Sequence, residues 1–218
     1  MGNELFGRPA QIDPPIAESG ARGPTVGSQP CKAVPVPVLC KDFVRQNGET
    51  RLVVDMKSIT DPSPSVPAFP VKLQDGHEIL EASLSEGMML TVRDTSETKR
   101  MIARSSSTSE KALLFLYDGL GAFCGKITSA PDGNGVLVYY LQAPCAIVRA
   151  TDLSGIHIDI KSITDRRNVI GRSFRKNQEL RFQVAHNYDV AFMVACLLGI
   201  IMLQPTLMEL SLQRSSYG

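Results

Sequence analysis

The sequence predicts a mainly β fold, a closed antiparallel barrel of about twelve strands around one hydrophobic α-helix near the C-terminus. Two observations lead there. Turn-forming pairs recur between runs of β-branched and aliphatic residues from residue 38 onward, and the stretch Val190–Leu203 (VAFMVACLLGIIML) has no charged or strongly polar side chain. Closing the sheet removes the edges that so many hairpins would otherwise leave, and a helix that is apolar all round needs an apolar container.

Residues 1–37 read as a separate arm. Pro9, Pro14, Pro15, Pro24, Pro30, Pro35 and Pro37 make up half of the chain's 14 prolines and are interleaved with glycines. Apolar residues are too sparse there to offset the entropy of ordering. The arm is therefore expected to be disordered or polyproline-like, a segment that suits an SH3 or WW partner or serves as a linker. Met1-Gly2-Asn3-Glu4-Leu5-Phe6 opens like a myristoylation signal on Gly2, except that the favoured pattern has Ser or Thr where Phe6 stands.

Residues 38–204 hold the barrel. Asn47-Gly48, Asp75-Gly76, Asp118-Gly119, Asp132-Gly133-Asn134-Gly135 and Ser154-Gly155 are the turn signals between its strand-like runs. Leu113–Tyr117 and Val136–Leu141 flank turns as short buried strands do, and Ile156–Lys161 alternates strictly, so one face is buried and the other wet. Residues 97–110 are polar and serine-rich and read as a loop. Pro62, Pro64, Pro67 and Pro70 bar a central strand from their segment. An internal echo also appears: Asp55–Asp61 (DMKSITD) returns as Asp159–Asp165 (DIKSITD) with one substitution. Read as duplication, it places both copies on equivalent strands; coincidence is the alternative.

The apolar stretch supplies a central helix over 189–203, followed by a tail over 205–218. At a rise of about 1.5 Å per residue it is about 21 Å long, against about 30 Å for a bilayer core. It is short for a membrane span and suited to burial within protein. A single C-terminal pass is the competing reading, with Cys196 and Gly199 as its small-residue contact face.

Composition excludes several classes. A net charge of +1 argues against bulk nucleic-acid binding. Five cysteines, an odd number with no CxxC pair, point to a reducing compartment rather than a disulfide framework or zinc site. No basic-then-apolar leader is present, so a cytoplasmic location is expected. Gly119-Leu120-Gly121 lacks the third glycine of GxGxxG, with Cys124 in its place, and His77-Glu78-Ile79-Leu80-Glu81 stops short of HExxH. His77, His157 and His186 complete no catalytic set, and no enzymatic activity, metal or cofactor is expected.

The candidate chemistry is electrostatic. Arg166, Arg167, Arg172, Arg175, Lys176 and Arg181 crowd one segment against Asp165 and Glu179. Near an anionic surface each basic residue contributes about 1 kcal/mol, and arginine holds phosphate bidentately. The plainer reading is a solvated hairpin whose arginines pair with nearby acids. Cys145 is a candidate for S-acylation, or else a small buried hydrophobe beside Pro144.

The segment 143–203 resembles the C-terminal half of the phospholipid scramblases, within the tubby-like barrel superfamily. Ala143-Pro144-Cys145 resembles the family's Gly-Pro-Cys, and Ile158-Asp159-Ile160-Lys161-Ser162 its F-E-I-K-S strand. Val169-Ile170-Gly171 resembles its V-V/I-G turn into the next strand. Asp189-Val190 followed by Ala195-Cys196-Leu197-Leu198 resembles its terminal helix, which would put Val190, Met193, Ala195, Cys196, Leu197, Leu198, Gly199 and Ile200 at the centre of the barrel.

The resemblance implies a tubby-like barrel, lipid movement between leaflets without covalent chemistry, anionic-phospholipid and phosphoinositide binding, and a peripheral place at the cytosolic membrane face. Two departures bear on this. The family's cysteine cluster is reduced to Cys145. Its acidic calcium loop is replaced by a stretch whose acids are Glu179 and Asp189, too few carboxylates for a calcium site. The competing class is a soluble adaptor that uses the barrel as a rigid platform.

Overall fold

The computed structural model describes residues 36–60, 68–85, 89–96, 101–108, 113–131, 136–152, 154 and 156–203, all within the compact unit Val34–Gly218. Gly2, the arm through Pro35, Asp132–Gly135 and the tail lie outside these residues. The contact boundary at Val34 falls slightly before the boundary at 37 expected from composition.

Alternating burial marks the strands. In β1 (Thr50–Asp55) Leu52 and Val54 point inward while Arg51 and Asp55 face out. The others are β2 (Ala68–Leu73), β3 (Glu78–Ser85), β4 (Met89–Asp94), β5 (Met101–Thr108), β6 (Leu113–Asp118), β7 (Phe123–Ser129), β8 (Val136–Tyr140), β9 (Ala143–Ala150), β10 (Ile158–Ser162), β11 (Val169–Lys176) and β12 (Glu179–Val184). All pairings are antiparallel between chain neighbours, except that β1 pairs with β12 over its whole length, Thr50↔Val184 to Asp55↔Glu179. Its other edge meets β2 at Leu52↔Leu73 and Val53↔Lys72, so the strand order is that of a closed barrel. The expectation of a mainly β fold with one C-terminal helix is borne out.

That helix, α2 (Val190–Leu203), buries 12 of its 14 residues, and Met193, Ala195, Cys196, Leu197, Leu198, Gly199 and Ile200 are all among them. A side chain such as Leu197 or Phe192 contributes about 1.5–3 kcal/mol when taken fully out of water. The helix backbone approaches β4 and β5 most extensively. No helix among the described residues is long and apolar enough to cross a membrane. The single-pass reading, with Cys196 and Gly199 as a small-residue contact face between membrane helices, is corrected: both residues lie within the core of this fold.

Two local devices seat the helix. Asp189 caps it, its Oδ1 accepting the Phe192 N–H at 3.1 Å and its Oδ2 accepting the Leu39 and Cys40 N–H groups at 2.6 Å each. The segment before β1 is thereby tied to the helix start, and Tyr140 adds to the tie by donating to the Val38 carbonyl at 3.2 Å while its ring meets Phe192 edge-on. The second device is Gly171. A Cβ there would lie 3.1 Å from Met193 Sδ, so the glycine lets β11 pass close over the helix.

Three expectations are overturned. Residues 101–108, read as loop, form β5, because both flanks are paired: Ser105 faces Leu90 on one side and Leu116 on the other. Ladder hydrogen bonds on two sides outweigh local composition. Pro70 sits within β2, where it faces Glu81 of β3 at a point beyond the pairing to β1, which stops at Lys72, so the strand is an edge on that side there. The echoed segments are not equivalent. The first leaves β1 at Asp55 and turns into α1 (Met56–Thr60), started by Lys57 N–H to Asp55 Oδ1 at 2.9 Å and Met56 N–H to the Gln178 carbonyl at 2.8 Å. The second continues as β10, where Asp159 is held by Arg172.

Candidate functional site

Strand direction sorts the loops to two ends of the barrel. One end collects the segment before β1, the β2–β3 turn, the β6–β7 loop, the β8–β9 turn, the β10–β11 loop and the start of α2. The other collects α1, the β9–β10 loop, the β11–β12 turn and the end of α2.

This ordering divides the basic segment. Arg166 and Arg167 are exposed in the β10–β11 loop, which is shaped by the Arg167 N–H to Asp165 Oδ1 bond at 3.0 Å and tied to β9 by the Ile163 N–H to Cys145 carbonyl bond at 3.1 Å. Arg175 and Lys176 lie at the far end, about 27 Å away at about 3.4 Å per strand residue. There the Arg175 Nε donates to the Asn177 carbonyl at 3.0 Å. Between them Arg172 makes two bonds to Asp159, at 2.6 and 3.2 Å, and this hydrogen bonding raises the guanidinium pKa further. Arg181 bonds Glu179 at 3.0 and 2.8 Å. The expected single patch of six is thus corrected: Arg172 and Arg181 are matched by acids on the barrel wall, and the other four split between the ends. Among the described residues Arg166 and Arg167 form no ion pair, nor do Lys41 and Arg45, which lie at the same end before β1.

The same end carries a feature absent from the sequence reading. The large hydrophobics exposed among the described residues are Leu120 (96%), Leu141 (60%), Phe123 (47%) and Val36 (45%). Leu120 belongs to the β6–β7 connection, Phe123 is the first residue of β7, Leu141 belongs to the β8–β9 turn, and Val36 stands two residues before the Tyr140 contact at Val38. The β6–β7 loop is stiff. Asp118 Oδ1 accepts from Leu120 and Ala122 at 2.9 and 2.8 Å, and Gly121 takes φ +86 while donating to the Asp118 carbonyl at 3.0 Å. Phe123 rests edge-on against Phe115 and Tyr117 on the outer wall. One signal was legible: Leu113–Tyr117 is apolar at both parities, and a strand with one wet face should alternate. Leu141 gave none, since a turn with φ +47 at leucine and +75 at Gln142 is not what those residue types predict.

A shallow depression on the outer wall is lined by Arg51, Val53, Gln74, Phe174, Arg181 and Gln183 among others. Its two guanidiniums are each committed, Arg51 to Glu49 at 2.8 Å and Arg181 to Glu179.

Burial explains the cysteines. Cys145 is 6% exposed, its Sγ donates to the Val138 carbonyl at 3.3 Å, and desolvation pushes its thiol pKa up to about 12. It is neither accessible nor readily ionised, so the acylation reading gives way to the small buried hydrophobe. Cys124 is likewise raised to about 12 by burial, and Cys196 is raised well above the ordinary value. Asp189 turns inward onto backbone amides, and Glu179 pairs with Arg181. Among the described residues no group of three His, Cys, Asp or Glu is placed to hold a metal. His157 pairs with Asp152 at 2.9 Å at the far end from His77 and His186, so the three histidines do not meet.

No protein-family model matches the chain, and no curated protein does. Among solved structures, the X-ray structure of a protein from Arabidopsis thaliana is similar, with a TM-score of 0.57 at 10% identity over 77% of this chain and 97% of that one. That likeness is one of fold alone.

Proposed function

We propose that this protein is a scramblase-like, tubby-type barrel that binds anionic phospholipid, phosphoinositides included, as a peripheral protein at the cytosolic face of a membrane, without enzymatic chemistry. The observation that carries the reading is the pair Arg166 and Arg167, exposed at one end with Lys41 and Arg45 and drawn into no ion pair among the described residues. At about 1 kcal/mol per basic residue near an anionic surface, the four supply about 4 kcal/mol, a weak and salt-sensitive attraction. Binding is expected to need no calcium, since Asp189 and Glu179 are engaged within the protein.

Vesicle flotation tests this. The protein should float with vesicles containing phosphatidylserine or a phosphoinositide, not with phosphatidylcholine alone, equally with a calcium chelator, and less in high salt. Neutralising Arg166 and Arg167 to Gln should cost about 2 kcal/mol, a loss of about thirtyfold. Failure to float with anionic vesicles at low salt would refute the reading. Movement of phospholipid between leaflets is the finer proposal, tested by chemical quenching of fluorescent headgroups in reconstituted vesicles. An inner leaflet that stays protected would restrict the function to binding.

The alternative is a non-enzymatic adaptor, favoured by the apolar outer wall at Phe115 and Tyr117 and by the inward-turned Asp189. Its proline-rich arm would recruit an SH3 or WW partner.

A further inference from the structure

We infer that the barrel end bearing Leu120, Phe123, Leu141 and Val36 penetrates the interface of an anionic bilayer, with Arg166 and Arg167 meeting the headgroups beside it. This rests on the lipid-binding reading and gives it an orientation and an apolar anchor that the basic residues alone lack.

Three independent observations converge. First, all the large hydrophobics exposed among the described residues sit at one end, none at the other or around the wall's middle. Second, the two most exposed are presented by stiff turns. Leu120 rides a loop closed by the Asp118 carboxylate, and Leu141 occupies a two-residue turn pinned by its own N–H to the Cys124 carbonyl at 2.9 Å. A stiff tip enters an interface with little further loss of entropy. Third, leucine at φ +47 is a costly choice where Asn or Gly would relax the turn, and at 60% exposure the side chain offsets only part of that cost by burial.

The geometry selects a membrane rather than a protein as occupant. Successive turns at this end are two strands apart, so the Leu120 loop, the Leu141 turn and the Arg166–Arg167 loop are spaced about 10 Å from one to the next. Separate apolar tips on a rim, with guanidiniums at one side and aromatic rings (Phe123, Tyr117) set back on the wall, match the layering of a bilayer interface, where apolar groups lie deepest and cations stay with phosphate. The carboxylates nearest the tips, Asp118 and Asp165, each accept from amides of their own loops, while Arg166 and Arg167 stand exposed in the β10–β11 loop.

The chain contains no tryptophan, so a single introduced one reports its own surroundings. Leu120→Trp, Leu141→Trp and, at the opposite end, Lys57→Trp would be made in the full chain and mixed with phosphatidylserine vesicles carrying brominated acyl chains. Leu120→Trp and Leu141→Trp should shift to the blue and be quenched, and Lys57→Trp should do neither. Leu120→Ser and Leu141→Asn should each weaken flotation on the order of tenfold, with Leu141→Asn folded at least as stably as the parent. Flotation with unquenched Leu120→Trp and Leu141→Trp would overturn the insertion and leave headgroup binding standing. Quenching of Lys57→Trp instead would overturn the orientation. Absence of flotation by the parent protein would overturn both.

Discussion

Asp189 carries more structural duty than any other polar side chain described. Its carboxylate is fully buried and accepts backbone N–H groups both at the helix start, Phe192 among them, and from Leu39 and Cys40 in the segment before β1. Asp189→Ala removes the cap, about 1 kcal/mol, and leaves the Leu39 and Cys40 donors without an acceptor at about 1–3 kcal/mol each. The sum is capped by release of the segment into water, so a loss of about 3 kcal/mol is expected. Asp189→Asn keeps one acceptor oxygen but turns an amide toward donors, and should lose about 1–2 kcal/mol. Urea unfolding followed by far-UV circular dichroism measures both. A loss below about 1 kcal/mol for Asp189→Ala would refute the claim that these bonds hold the segment to the helix.

The pH dependence has a definite sign. Burial raises the Asp189 pKa from the ordinary 3.8, against the pull of the Cys40, Phe192, Leu39 and Ala191 amides. The folded state therefore binds the proton more tightly than the unfolded chain. This group's stability contribution is fully present below 3.8 and declines as pH rises through the raised value, above which it stays level. Subtracting the Asp189→Asn profile from the parent's should isolate that slope, and an opposite slope would mean that the amide bonds outweigh burial.

Three further outcomes are expected. Leu197→Arg places an unpaired charge at a site with no solvent exposure and should leave the protein insoluble, so a soluble, folded variant would contradict the buried helix. Gly171→Ala asks only that the flexible Met193 thioether give way and should cost under about 1 kcal/mol, whereas Gly171→Val should cost about 2–3 kcal/mol; equal effects in urea unfolding would contradict the close approach. A thiol reagent applied to the native protein should label Cys40 well before Cys124, Cys145 and Cys196, as peptide mass analysis would report, and Cys145 reacting as fast as Cys40 would restore it as a modification site.

Much of this architecture was legible in the chain. Alternation in Ile156–Lys161, turn pairs such as Asp75-Gly76 and Asp118-Gly119, and the uninterrupted apolar run of α2 are local or periodic signals that coincide with β10, turns and the helix, although Asp159, on the face expected to be wet, is buried. Where reading failed, the cause was pairing at a distance. Met101–Thr108 is a strand because two neighbours bond to it, and near-identical heptapeptides became a helical turn and a strand because Met56 bonds Gln178 while Asp159 finds Arg172.

The site divides in the same way. The sequence by itself determined that the chain has an apolar helix to hide, strands to hide it and a basic stretch beside it, since residue type and spacing suffice for those statements. Only the tertiary structure decided which charges are matched and which point outward. Strand direction sends Arg167 and Arg175 to opposite ends, cross-strand register joins Arg172 to Asp159, and loops far apart in sequence bring Leu120, Leu141 and Arg166 to one rim. Those are facts of closure and register, set by which strands meet rather than by what any strand contains.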